Sequence, residues 1–362
     1  MPPRLELRRL QKSFDEVPAV RDLSLALERG EFVSLLGPSG CGKSTTLAMI
    51  AGFESPDAGE ILIDGAMVNR LPPQRRRIGL VFQDYAVFSR LSVRGNLAFG
   101  LGGRGLARAE RRRRVEAMAG KLGLSDLLER GGDRLNMSEM QRVALGRVLL
   151  TEPELVLLDE PMSNLDAALR ATLRGELKQI QRELGQTVLY VTHDQLEAMS
   201  MSDRIAIMKD GEILQLATPD EIYDRPCNRF VAEFIGDPPI NLVACDVAEA
   251  GRGVVVSTAL HVGLELGRRD LAAGRHLLGF RPHDVEIGAG AVPGSAAATV
   301  RFVEALGAES VLHVAYGEEM IRVVGPADPP AVGTAIHLTL RRGRLLLIER
   351  ASDRVVAPAL AA

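Results

Sequence analysis

The chain has 362 residues, of which 46% are hydrophobic and 25% charged, with a net charge of −3; this composition excludes a disordered, collagenous or disulfide-built chain. At about 150 residues per domain the length fits roughly two domains, and the near-balanced charge supplies no global field for nucleic acid. Three scattered cysteines, Cys41, Cys227 and Cys245, form no C-x-x-C pair, so neither a zinc site nor a disulfide framework is expected and a reducing cytosol suits the set.

Residues 5–36 read as short strands joined by turns, ending in the buried-strand run 31–36. A glycine-rich turn then leads into a helix from about Lys43 to Ala51, with Gly52 as its C-cap. Residues 60–81 return to strand. Residues 91–123 and then 141–150 read as helical, the first stretch rich in arginine. A second buried strand over 155–158, an amphipathic helix over 170–184 and a third buried strand over 187–191 follow. Asp210-Gly211 is a hairpin turn between strands 204–209 and 212–216, and Thr218-Pro219 opens a further helix. Beyond Gly236-Asp-Pro-Pro239 the helical period disappears, which predicts a separate all-β domain over about 240–350. The tail from residue 355 is small and apolar and is expected to fray. No apolar run reaches the roughly 18 residues that span a bilayer, and the first residues lack the apolar core of a signal peptide. Work at a membrane would need spans carried by another chain.

Gly37-Pro38-Ser39-Gly40-Cys41-Gly42-Lys43-Ser44 fits G-x-x-x-x-G-K-[ST] without a mismatch, between a strand and a helix. The glycines let backbone amides wrap phosphates at a helix N-terminus; Lys43 reaches the β- and γ-phosphates and Ser44, next to Thr45, holds Mg²⁺. Cys41 lies inside this loop, so a thiol modifier there should block nucleotide. The strand 155–158 ends in Asp159 and Glu160. Two acids there often cap a helix, but beside a phosphate loop Asp159 suits Mg²⁺ and Glu160 suits polarising a water.

Further along, the sequence resembles the ATP-binding cassette (ABC) ATPases. Gln83 looks like their Q-loop, Ser163-Asn-Leu-Asp166 like their D-loop, His193 like their switch histidine, and Phe14 like the aromatic that stacks on adenine. The resemblance implies an α/β fold: a P-loop ABC cassette over 1–235, made of a RecA-like core and a helical subdomain at about 90–150, then an OB-like, TOBE-type all-β regulatory domain over 236–362. Phe234-Ile-Gly-Asp-Pro-Pro-Ile-Asn241 and Gly279-Phe-Arg-Pro-His-Asp284 resemble the maltose and glycerol-3-phosphate importer ATPases. It further implies Mg·ATP as cofactor, with Ser44, Gln83 and Asp159 at the metal and Glu160, His193 and Gln83 in catalysis. The phosphate loop, Phe14 and Asp166 would bind nucleotide.

One motif departs. Where the family has Leu-Ser-Gly-Gly-Gln, the ungapped alignment reads Leu135-Asn136-Met137-Ser138-Glu139. In the family this segment opens a helix and binds the γ-phosphate of ATP held by the other subunit. Asn136 could still donate, and Asn136 and Ser138 are the candidate nucleotide contacts here; Met137 adds bulk, and Glu139 adds a charge whose repulsion at ~4 Å is on the order of a few kcal/mol. A shifted alignment, Met137-Ser138-Glu139-Met140-Gln141, keeps the Ser and Gln but needs a two-residue shift against the following helix, so the ungapped one is preferred. A variant with slower hydrolysis is the plain reading; a heterodimer, in which a second cassette chain supplies a complete motif, is the preferred one.

The implied function is the ATPase subunit of an importer for a sugar or sugar-phosphate, peripheral on the cytoplasmic face of the plasma (inner) membrane. Its partners would be a second ATPase chain, two transmembrane permease subunits and, through the complex, a periplasmic or extracellular solute-binding protein. The stretch 84–90 is where the family receives the permease's coupling helix, though Phe88-Ser-Arg90 departs from the usual pattern. One rival is a soluble ABC ATPase acting on DNA or ribosomes, but neither its long coiled-coil insert nor a tandem cassette is present, so nucleic acid is not an expected partner. The other rival is a nucleotide-binding regulatory half with little turnover. The basic runs at 75–77 and 111–114 read as solvated faces, or as contacts for anionic headgroups near the permease.

Overall fold

The computed structural model describes residues 1–102, 105–163, 165–250, 253–258, 264–266, 273–292, 294–341 and 344–357. The chain divides into Met1–Pro219 and Asp220–Ala362. In chain order the first unit contains β1 (Leu5–Phe14), β2 (Val17–Leu27), β3 (Phe32–Leu36), α1 (Lys43–Ala51), β4 (Ala58–Ile63), β5 (Ala66–Met67), β6 (Ile78–Val81), α2 (Val93–Phe99) and α3 (Arg108–Lys121). It continues with α4 (Met137–Leu149), β7 (Leu155–Asp159), α5 (Ala167–Leu184), β8 (Val188–Thr192), α6 (Gln195–Met201), β9 (Arg204–Lys209) and β10 (Glu212–Ala217).

Two sheets organise this unit. One is antiparallel, in the order β2-β1-β4-β5; the other runs β10-β9-β3-β8-β7-β6 and is parallel except at its β10 edge. The parallel strands are mostly apolar because both sheet faces are covered. Successive side chains point to opposite faces, and they enter two different cores. Val33, Leu35, Leu157, Leu189 and Val191 pack with Leu47 and Ile50 of α1. Phe32, Val156, Leu158, Val188 and Tyr190 pack with Val143 and Leu173 from α4 and α5. Each such fully buried side chain contributes roughly 1.5–3 kcal/mol relative to exposure.

The structure revises several local expectations. The helical stretch at 91–123 divides into α2 and α3, with Gly100, Gly102 and Gly105 between them; glycine is about 1 kcal/mol poorer than alanine in a helix. Helix α4 begins at Met137 rather than at 141, because Asn136 caps it. The basic run at 75–77 is not a solvated face throughout. Arg76 is buried and donates to Met49 O and Ile50 O at 2.7 and 2.8 Å, so it closes the carbonyls that a helix C-terminus leaves without partners.

Helix α7 (Pro219–Asp224) crosses the division, and α8 (Arg229–Phe234) follows it; the domain limit expected at 235 lies after both. The second unit is otherwise all-β. It contains β11 (Asn241–Ala250), β12 (Gly253–Thr258), β13 (Leu264–Leu266), β14 (Gly274–Phe280), β15 (Val285–Gly288) and β16 (Ala296–Ala305). Then come β17 (Glu309–Tyr316), β18 (Glu319–Pro326), β19 (Ala335–Leu340), β20 (Leu346–Glu349) and β21 (Val355–Ala357). Two sheets, β13-β12-β11-β14-β20-β21 and β15-β19-β16-β17-β18, share one core that joins Val243, Leu278 and Phe280 to Val300, Leu312 and Val323. The tail expected to fray is in part ordered, since Val355 and Ala357 pair with β20; residues 358–362 lie outside the described residues. No helix among the described residues is long and apolar enough to cross a membrane.

Candidate active site

The carboxyl ends of β3, β6, β7 and β8 lie side by side, the edge at which open α/β sheets collect ligands. From β3 the chain enters the loop 37–42 and then α1. Two positions there demand glycine. A Cβ on Gly37 would lie 2.3 Å from Met208 O; one on Gly42, whose φ is +101°, would lie 2.3 Å from Ala19 O. The backbone can pass that closely only without a side chain. The turn expected at Asp210-Gly211 also supports the loop, since Gly211 N donates to Cys41 O at 3.1 Å while its carbonyl accepts from Arg21 N at 2.9 Å.

Lys43 is buried, and its Nζ donates to Gly37 O and Pro38 O at 2.8 and 2.9 Å. The ammonium therefore sits within the loop itself, with Cys41 Sγ 3.8 Å away; burial pushes the Cys41 thiol up, opposed by the Lys43 charge. Ser39, Gly40 and Thr45 complete the loop and first turn, Gly40 with a φ of +80°. Beside it, Ser44 Oγ donates to Asp159 Oδ1 at 3.3 Å. Burial raises the Asp159 carboxyl, and the Ser44 hydroxyl counters it. Hydroxyl and carboxylate oxygens next to a phosphate loop are the hard donors Mg²⁺ takes, one or two protein ligands with phosphates and waters completing the shell.

A second chain of contacts runs along the same edge. Glu160 Oε2 lies 3.0 Å from His193 Nδ1. Glu160 has a φ of +43°, a left-handed conformation uncommon away from glycine, and its amide donates to Val191 O at 2.9 Å. Ser163 Oγ donates to Glu160 O at 3.0 Å and accepts from Gln83 Nε2 at 3.2 Å. Ser163, placed by motif reading in the D-loop but given no role there, is the linking residue. Only the fold brings Gln83 across to it, so its position beside Asp166 was the sole signal. Asn164 lies outside the described residues.

Asp166 caps α5 and accepts from Leu169 N at 3.0 Å. Phe14 ends β1 and is 45% exposed, with Lys12 Nζ 5.1 Å from its ring centroid. Lys12 was not singled out in the sequence. The β1–β2 pairing sets Phe14 opposite Val17, and β2 then reaches Ala19, against Gly42.

Among the described residues, neither Asn136 nor Ser138 hydrogen-bonds to the phosphate-loop cluster; they open α4. Here the expectation for Glu139 needs correction. Asn136 Oδ1 accepts from Glu139 N at 2.9 Å, and Glu139 Oε2 accepts from Asn136 N at 2.9 Å, a reciprocal capping box. Arg130 Nη1 donates to Glu139 Oε1 at 3.0 Å. The carboxylate is thus neutralised within the chain instead of standing free. Ser138 is buried and accepts from Arg142 at 3.2 Å, while Met137 stays partly exposed. The pattern N-x-x-E was legible as a cap; the alignment with a glycine motif drew attention to its charge instead.

Comparison with known proteins follows the same division. Residues 20–163 match the family described as ABC transporter, and residues 278–348 match the TOBE domain. The chain is 45% identical over 353 residues to a xylose/arabinose import ATP-binding protein of Haloferax volcanii, covering 94% of this chain and 90% of that one. It is 46% identical over 325 residues to a trehalose/maltose import ATP-binding protein of Thermococcus litoralis, covering 84% and 86%. It is 45% identical over 365 residues to an sn-glycerol-3-phosphate import ATP-binding protein of Cupriavidus pinatubonensis, covering 97% and 96%. Among solved structures, cbiO1 from Clostridium perfringens, part of the ABC transporter complex cbiONQ, superposes with a TM-score of 0.58 at 30% identity, covering 61% of this chain and 91% of that one.

Proposed function

Since the chain belongs to the ABC transporter family, as an import ATPase subunit, we propose that it powers uptake of a sugar or sugar-phosphate from the cytoplasmic face of the plasma membrane. It would work with two permease subunits and a solute-binding protein. The phosphates of ATP would lie on residues 37–44, where Lys43 would exchange Gly37 O and Pro38 O for phosphate oxygens, and the adenine would rest on the exposed ring of Phe14. Ser44, Gln83 and Asp159 would hold Mg²⁺, which supplies neutralisation of phosphate charge. Glu160 accepts the proton of the attacking water, and His193 orients the Glu160 carboxylate. Asp166 stands at the start of α5 for a neighbouring subunit.

The observation that carries this reading is the Glu160–His193 contact at 3.0 Å, on the same sheet edge as Ser44 and Asp159. Its test is Glu160→Gln in the complex assembled with its permease. ATP should still bind while hydrolysis collapses; hydrolysis at the wild-type rate would remove Glu160 from the role of base.

A second reading concerns assembly. Met137 places a side chain where the family motif has glycine, and Glu139 places a carboxylate, paired with Arg130, where it has glutamine. This favours a heterodimer in which the present chain contributes its phosphate loop, Glu160 and His193 to one productive site, and a partner cassette contributes Leu-Ser-Gly-Gly-Gln. The site facing Asn136 and Ser138 would then turn over little and serve a regulatory part. Purifying the complex from its native host and weighing its ATPase chains decides the matter: two different masses support the heterodimer, and one mass overturns it.

A further inference from the structure

Arg108, Arg111, Arg112 and Val115 fall at i, i+3, i+4 and i+7 of α3 and so share one side of the helix; Val115 is buried, Arg111 is half-buried, and Arg108 and Arg112 are exposed. Here they line a cavity of about 690 Å³, together with Ala98 and Arg94 of α2 and with Leu106 before α3. That volume is within the range of small-ligand sites.

The acids around the cavity are committed to other arginines. Glu110 accepts from Arg113 and Arg114, which hold its carboxyl down at about 2. Glu116 accepts from Arg112 and Arg94 at 2.8 and 3.2 Å. Glu129, on the cavity wall, accepts from Arg94 at 2.7 Å. Arg108 and Arg111 are left with no ion pair among the described residues, and the buried Nε of Arg111 has no hydrogen-bond partner. A buried donor on a permanently charged group is costly unless something accepts from it.

We propose that this cavity binds a phosphate ester, its oxyanion held by the guanidinium groups of Arg108 and Arg111 and its organic part laid against Ala98, Leu106 and Val115. Two guanidinium forks offer paired, parallel donors, and a phosphoryl group has enough oxygens to engage both. A carboxylate, with two oxygens, fills one fork. The same chemistry is presented by a soluble phosphate ester and by an anionic lipid headgroup.

The test uses the full chain with its nucleotide site saturated by a non-hydrolysable ATP analogue, so that the phosphate loop cannot take up the probe. One arm titrates phenyl phosphate. The other measures sedimentation with phosphatidylcholine vesicles made with and without phosphatidylglycerol. Wild type is compared with Arg108→Gln/Arg111→Gln, and unchanged affinity for the ATP analogue shows the variant is folded. Should that variant fail to fold, Arg108→Lys/Arg111→Lys keeps the charge and removes the forks. The expected result is binding by wild type in at least one arm and a loss of about tenfold or more in the variant. Binding of phenyl phosphate identifies a soluble ester, and binding to phosphatidylglycerol vesicles alone identifies a headgroup. Equal binding by wild type and variant in both arms, or no binding by wild type in either, overturns the proposal.

Discussion

His193 Nδ1 and Glu160 Oε2 stand 3.0 Å apart although the residues are 33 positions apart in sequence. The pair forms because β7 and β8 are adjacent and parallel, Asp159 lying opposite Val191, so the residues just past each strand end meet. Glu160 is further fixed by its amide bond to Val191 O. A carboxylate whose backbone is held on β8 and whose side chain is held just past its end is oriented before any substrate arrives.

Glu160→Gln keeps the shape and loses the proton acceptor. Steady-state hydrolysis in the assembled transporter should fall by roughly 10²- to 10⁴-fold, with ATP affinity retained. His193→Ala frees the carboxylate and should lower turnover with a smaller effect on ATP binding. A His193→Ala complex that hydrolyses at the wild-type rate would show that the 3.0 Å contact has no part in catalysis.

Lys43→Ala removes an ammonium that donates to Gly37 O and Pro38 O. Charge-assisted hydrogen bonds are worth about 1.5–3 kcal/mol each, so calorimetric titration should show ATP affinity at least about tenfold weaker. An unchanged affinity would place the nucleotide elsewhere.

Replacing Asn136, Met137, Ser138 and Glu139 by Ser, Gly, Gly and Gln keeps a capping-box pattern at the start of α4, but removes the Glu139 carboxylate with its Arg130 pair and sets two glycines in the first turn. A glycine in a helix costs about 1 kcal/mol relative to alanine, so the unfolding midpoint should drop slightly. If the glycine amides, relieved of the Met137 side chain and the Glu139 charge, then serve a phosphate in trans, turnover of the chain as its own dimer should rise by about 10²-fold or more, the scale of one preorganised donor. Equal and robust turnover before and after the change would show the present motif to be competent.

Glu197 gives a pH test. It is buried beneath Tyr190 and Thr192, whose hydroxyls each donate to Oε2 at 2.7 Å. Burial raises its carboxyl above the ordinary 4.5, and the two hydroxyls oppose the rise. The folded state therefore holds this proton more tightly than the unfolded state. The resulting stability is complete below the unfolded value and is lost as pH climbs through the folded one. Glu197→Gln cannot titrate, so the Tm of the variant minus that of wild type should increase as pH rises from about 4.5 and then level off. A difference that stays flat with pH would mean the carboxyl does not titrate differently in the two states.

The sequence by itself determined what neighbours along the chain can dictate. The loop from Gly37 to Ser44, the C-cap at Gly52 and the turn at Asp210-Gly211 all depend on the backbone freedom or hydrogen bonding of a few adjacent residues. The apolar runs at 31–36, 155–158 and 187–191 likewise marked three buried strands. Tertiary structure alone decided which side chains meet. Ser44 and Asp159 are 115 positions apart, and Gln83 and Ser163 are 80 apart; their contact depends on strand order in the sheet, which no local pattern encodes. The fate of each charge was decided in the same way. Arg76, Glu139 and Arg111 look alike as charged residues in a polar run. One closes the end of α1, one caps α4 against Arg130, and one keeps a buried, unpartnered Nε. The difference is the partner that packing brings within reach, because the energy of a charge is set by the groups a few ångströms away and by the water they exclude.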